Sequence, residues 1–243
     1  MPWDILLIFF VLGVIVPLRG RARLKQLLAK PRVESAERLW LYGSTIAFQW
    51  LAAGVSGWRA RAHGFTAQQL GLAVPERVKI AIVTVLGAAL IVTLQWLNLQ
   101  RMGRSTSLLR RPLQALAERI LPQNIKELIP FFVLAVTAGL CEEFLYRGFA
   151  MAVLRRTGLP MGVVILLSSI LFGLAHLYQG RAGFVSTMVL GILFGISRAA
   201  LGSLVPVMAW HVCVDLVAGV AGPRYLVKKQ QVSEEYGQAI VLC

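Results

Sequence analysis

The sequence predicts an all-α fold, a polytopic bundle of about seven membrane-spanning helices, with six to eight the range the apolar runs allow. Three observations carry that reading. Hydrophobic residues fill 57% of the 243 positions and mean hydropathy is +0.70, values of a membrane protein rather than a soluble domain. The apolar residues gather in runs close to the ~20 residues that a bilayer requires. The 25 Lys and Arg, against 11 Asp and Glu, fall mostly between those runs, as in cytoplasmic loops. A net charge of +14 therefore calls for no nucleic acid, and no aromatic-basic recognition module accompanies it. The expected setting is the lipid bilayer, in a bacterial inner membrane or another plasma or endomembrane.

The first apolar run, Trp3 to Leu18, carries Asp4 where a signal peptide would carry Lys or Arg, and no small-x-small cleavage site follows. It reads as a short first span. Arg19, Arg21, Arg23, Lys25, Lys30 and Arg32 follow as a basic loop, which places the N-terminus outside. Leu39 to Val55 is the second span, with Trp40, Tyr42 and Trp58 near its ends as headgroup-depth anchors. Ser56 to Arg77 is a polar connector containing His63; its segment 64–72 has the look of a membrane-surface piece, with Thr66 as a helix cap. Val78 to Leu97 is the third span, and Gln100 to Lys126 the second basic loop, two spans after the first and so on the same side.

The fourth run starts near Leu128 and continues as one long helix through Leu154, placing charged residues near mid-membrane. Arg155-Arg156-Thr157-Gly158-Leu159-Pro160 ends it, with Gly158 as C-cap and Pro160 opening the next helix. Arg155 and Arg156 then fall outside, against the basic-loop trend. Pro160 to Leu177, Phe184 to Leu201 and Leu204 to Val220 complete the spans; Gly191 and Gly195 in the sixth allow close helix approach. The chain divides into N-terminal spans and basic loops (1–127), a membrane core (128–222) and a polar tail (223–243) carrying Lys228, Lys229, Glu234 and Glu235. Cys141, Cys213 and Cys243 have neither disulfide-framework nor metal-site spacing.

The chemistry concentrates at Cys141-Glu142-Glu143-Phe144-Leu145-Tyr146-Arg147. Charges at membrane depth cost roughly 2.5–3.5 kcal/mol each for Asp, Lys or Arg, so they call for partners or a purpose. Glu143 and Arg147, four apart, suit a supporting ion pair along one helix face. Glu142 lies about 100° round the axis and stays free for chemistry. His176 shares a face with Phe172, and His211 with Asp215. Glu142 with His176 can activate a water, while His211 and Asp215 can hold a carbonyl and its oxyanion, provided His211 donates a hydrogen bond and Asp215 orients it or is itself protonated; hydrolysis of a peptide bond needs these parts. Phe172 reads as packing support.

Glu-Glu-x-x-x-Arg, Phe-x-x-x-His and His-x-x-x-Asp, in that order on successive apolar segments, resemble the CPBP family of CAAX-processing proteases and bacteriocin-processing or self-immunity relatives. The resemblance covers about Leu128 to Val220. It implies an intramembrane endopeptidase acting on a membrane-associated or lipidated protein or a leader peptide. In that family the first Glu, here Glu142, and the histidine of the second motif, here His176, activate water, and the third motif, His211 and Asp215, supplies the oxyanion site. Many members have Asn where this chain has Asp215.

No cofactor is expected. The alternative is zinc held by His176, His211 and Glu142 with one position for water, although no His-Glu-x-x-His motif supports it. Two further classes use the same residues: a transporter or proton relay, and a non-catalytic scaffold. Transporters of this size usually show repeat symmetry, and none is evident here.

Overall fold

The computed structural model describes residues 1–104 and 110–226, so Cys243 and the tail from 227 lie outside the described residues. The described residues are helical, without strands. The helices are α1 (Trp3–Leu28), α2 (Ser35–Ala62), α3 (Arg77–Arg104), α4 (Arg110–Ile120), α5 (Ile125–Arg156), α6 (Met161–Ala175), α7 (Gly180–Leu201) and α8 (Val205–Leu226). Five are long and apolar enough to cross a membrane, namely α1, α3, α5, α7 with its preceding turn, and α8. α2 has 28 residues, and α6 is a shorter apolar helix. Those seven give the expected polytopic bundle, a multi-pass integral membrane protein.

Several boundaries move. The first span is longer than Trp3 to Leu18, because Arg19, Arg21, Arg23 and Lys25 continue α1 instead of forming a loop; Arg and Lys are good helix formers. Pro17 lacks the N–H that closes a helical turn, and α1 widens to π geometry over Val11–Ile15 just before it. The second basic loop contains α4, and Tyr42 is no headgroup anchor. It is fully buried, and its hydroxyl donates to the Ile120 carbonyl at 2.6 Å. Trp40 and Trp58 do remain exposed.

The connector shrinks to residues 63–76, since α2 runs on to Ala62. Segment 64–72 is exposed at residues 64, 66–69 and 72 and anchored from below: Phe65 and Leu70 pack with Ile5, Phe149 and Val153, and the Gly71 carbonyl accepts from Leu204 N at 2.8 Å. Thr66 closes a turn rather than a helix, accepting from Gln69 N while Gln69 Oε1 accepts from Thr66 N. His63 is likewise committed, its Nε2 lying 2.8 Å from Asp4 Oδ2, which also accepts from Arg59. These contacts gather the N-terminus, the 63–76 connector and the turns after α5 and α7 at one face, the one that the basic-residue count predicts to be outer.

α5 is one continuous helix of 32 residues, as the sequence predicts. It ends at Arg155-Arg156, with Gly158 at φ 87° taking the left-handed position. Beyond that turn Gly191 and Gly195 bring α7 onto the core: a Cβ at Gly191 would sit 2.9 Å from Arg147 Nη2, and one at Gly195 2.9 Å from Ile165 Cγ2. α8 extends past the expected Val220 to Leu226.

Candidate active site

Helix length and one close approach position the site. Glu142 lies near the middle of α5. α6 has 15 residues, about 22 Å at 1.5 Å per residue, short of the ~30 Å hydrocarbon core. Its C-cap, His176, therefore ends the helix well short of that thickness. α8 meets α5 at Gly139, where a Cβ would lie 3.0 Å from both Met208 O and Val212 N; no larger residue lets the two backbones approach so closely. That approach delivers His211 to Glu143.

Around the motif α5 widens to π geometry over Phe144–Ala150, a local form often found at functional sites. Ser168 Oγ, from α6, donates to the Tyr146 carbonyl in this turn at 2.7 Å. Arg147 and Glu143 are both completely buried and joined at 2.9 Å. Arg147 also stacks on Phe172, 4.1 Å from the ring centroid, with Phe194 beyond.

Glu143 has a second partner that the sequence did not indicate. Its Oε1 also accepts from His211 Nδ1 at 2.7 Å, so the expected support pair holds a site histidine as well. Asp215, expected to orient His211, does not: its Oδ2 is 3.8 Å from His211 Nε2, beyond hydrogen-bond range. The partner on the same helix is partly exposed, whereas the bond that fixes the ring crosses from another helix.

Glu142 is held apart from this pair. Its Oε1 accepts from Gln49 Nε2 of α2 at 2.6 Å. Its Oε2 is buried without a hydrogen-bond partner, 3.9 Å from both His176 Nε2 and His211 Nε2. His176 Nδ1 lies 2.9 Å from the Phe172 carbonyl; a carbonyl only accepts, so Nδ1 carries the proton and, in the neutral ring, Nε2 presents a lone pair. The structure thus brings Glu142, His176 and His211 together, with Asp215 at the edge and Phe172 against Arg147 and both imidazoles.

Residues 124–217 match the family model described as Type II CAAX prenyl endopeptidase Rce1-like. That match supports the CPBP/CAAX protease type for this segment. In general terms the match supports a CAAX-type intramembrane endopeptidase, and the matched segment runs from the start of α5 into α8. No curated protein and no solved structure matches.

Two features of this CAAX-type core were missed from sequence. Gln49 is one; its signal was a lone amide inside the apolar run of the second span. The other is a cavity of about 250 Å³ that reaches Glu142 and His176 between α1 and α2. Val16, Phe48, Leu145 and Tyr146 line its inner part, and Arg19, Arg23, Leu27 and Ile120 continue it toward the basic face. Of the seven buried polar side-chain atoms without a partner among the described residues, five belong to Gln49, Glu142, Glu143 and Arg147. Native interiors satisfy such atoms unless they serve another purpose, and here they cluster where the motifs meet. No group of three His, Cys, Asp or Glu among the described residues is placed to hold a metal ion.

Proposed function

We propose that this chain hydrolyses a peptide bond of a membrane-associated or lipidated protein, or a leader peptide, with a water activated by Glu142 and His176. One observation carries the reading: Glu142 Oε2 is buried and unbonded, 3.9 Å from two imidazole nitrogens. Those separations are too long for direct hydrogen bonds and short enough for a shared water.

The water donates to Glu142 Oε2 and to the His176 Nε2 lone pair. As its oxygen bonds to the carbonyl carbon, Glu142 takes the proton and the carbonyl oxygen becomes an oxyanion. His211 is the donor for that oxyanion. Its Nδ1–H is committed to Glu143, so it donates from Nε2 as the imidazolium, with Asp215 as a nearby counter-charge. The C–N bond then breaks and Glu142 returns the proton to the leaving amine. Glu143 and Arg147 position His211 and do not touch substrate. The cavity between α1 and α2 admits the peptide from the basic, cytoplasmic face, and its apolar wall suits a lipid-bearing chain.

The mechanism needs no metal. The test is cleavage of fluorescent lipidated C-terminal peptides and of leader peptides by purified protein in detergent. Wild type cleaves at least one, Glu142→Gln and His176→Ala nearly abolish cleavage, and strong chelators leave it intact. Chelator inactivation reversed by added Zn²⁺ would transfer His176, His211 and Glu142 to a metal site instead. Equal activity in wild type and Glu142→Gln would remove Glu142 from the chemistry.

A further inference from the structure

Arg155 and Arg156 oppose the basic-loop trend, and the structure gives them a third companion. They join Arg198 of α7 around a second cavity, of about 270 Å³, at the outer face. The remaining wall is Gln69, Ala152, Met151 and Met161. No acidic side chain lines it, and none of the three arginines forms a salt bridge among the described residues.

Each guanidinium is held in place by backbone oxygens rather than by a counter-charge. Arg155 Nη1 donates to Leu159 O at 2.7 Å, and Arg156 donates to His63 O at 2.7 Å and Gly64 O at 3.3 Å. Arg156 also lies over the Phe65 ring, 3.5 Å from its centroid. Arg198 Nη2 donates to Gln69 O at 2.9 Å, while its Nε is buried with no partner. Since a guanidinium carries five N–H donors, every member of the trio keeps most of them uncommitted. Three fixed cations without a carboxylate leave a positive field that an anion relieves, and planar guanidinium forks suit the oxygens of a phosphate. The two methionines beside them give the site an apolar edge.

We propose that this outer-face pocket binds a phosphate group, either the headgroup phosphate of an anionic lipid or a free phosphate ion. The site lies apart from the Glu142 cavity, shares no lining residue with it, and is independent of the proposed hydrolysis. It also gives Arg155 and Arg156 a reason to stand on the outer side.

The test measures the melting of the full-length protein in neutral detergent, titrated separately with inorganic phosphate, short-chain phosphatidylglycerol and short-chain phosphatidylcholine. Arg155→Gln is the principal variant, because Arg155 holds only the Leu159 carbonyl. Losing one charge-assisted contact should weaken phosphate-group binding about tenfold, and Arg155→Lys should restore part of it. Stabilisation by phosphatidylglycerol alone assigns a lipid headgroup; stabilisation by inorganic phosphate as well assigns a free-anion site. Both support the proposal if Arg155→Gln weakens them. No stabilisation by either anion, equal stabilisation by phosphatidylcholine, or an undiminished response in a folded Arg155→Gln protein overturns it.

Discussion

Two buried ion pairs in this bundle are built differently. Arg38 and Glu127, near the basic face, meet at 2.9 Å, and the carboxylate is saturated: Oε2 also accepts from Gln123 N at 2.8 Å, and Oε1 from Asn124 Nδ2 at 2.9 Å. Glu143 and Arg147, at the middle of the bundle, meet at the same distance. Yet Glu143 Oε2, Arg147 Nε and Arg147 Nη2 remain buried without partners. The first pair anchors α2, α4 and α5. The second holds a histidine in place beside a carboxylate whose own Oε2 is unbonded. Polar satisfaction, rather than burial or pairing, separates the part of the molecule built for stability from the part built for chemistry.

The largest expected effect tests that contrast on the two glutamates. Glu142→Gln keeps shape and removes the base, so turnover should fall by about 10²–10⁴-fold with little change in melting temperature. Glu127→Gln should do the reverse, lowering the melting temperature while each folded molecule keeps its activity. A Glu127→Gln protein that folds normally and is inactive would erase the distinction.

The arginines give the next effect. Removing one member of a buried pair leaves an uncompensated charge, on the order of 3–5 kcal/mol, so Arg147→Ala and Arg38→Ala should both reduce yield and melting temperature. They should part company in kinetics. Glu143 loses its counter-charge in Arg147→Ala and the His211 ring loses its alignment, so the folded fraction should lose kcat; in Arg38→Ala it should not. The check is turnover normalised to folded protein.

The helical class, the uninterrupted α5 and the close approach of Gly191 and Gly195 were legible in the sequence, because each rests on local periodicity or on a small residue's missing side chain. So was the grouping of Glu142, Glu143 and Arg147, which one helix fixes by phase. What sequence could not give were contacts between helices distant in the chain. His211 was read with Asp215 because i,i+4 neighbours share a face, but its bond goes to Glu143, 68 residues away. Tyr42 was read as an interface aromatic, yet its hydroxyl reaches a carbonyl 78 residues on. The basic stretch after Leu18 was read as a loop, since charge marks the membrane boundary without marking the end of a helix.

Gln49 offers the smallest and sharpest test, because it lies on α2, outside the matched residues 124–217. Its Nε2 is the donor to Glu142 Oε1 at 2.6 Å, and its own Oε1 is buried without a partner. Gln49→Leu removes the donor at similar volume. The carboxylate then has no bond fixing its plane, and Oε2 no longer points steadily between the two imidazoles. A hydrogen bond to a charged group contributes about 1.5–3 kcal/mol, so the fall in kcat should be roughly 10- to 150-fold, toward or below the low end expected for Glu142→Gln. KM and melting temperature should change less, since Gln49 lines only the inner end of the substrate cavity. Gln49→Glu should do more damage, placing a second carboxylate against the first. If Gln49→Leu leaves kcat at the wild-type value, α2 merely covers the site, and the aim of Glu142 is set within the matched core alone.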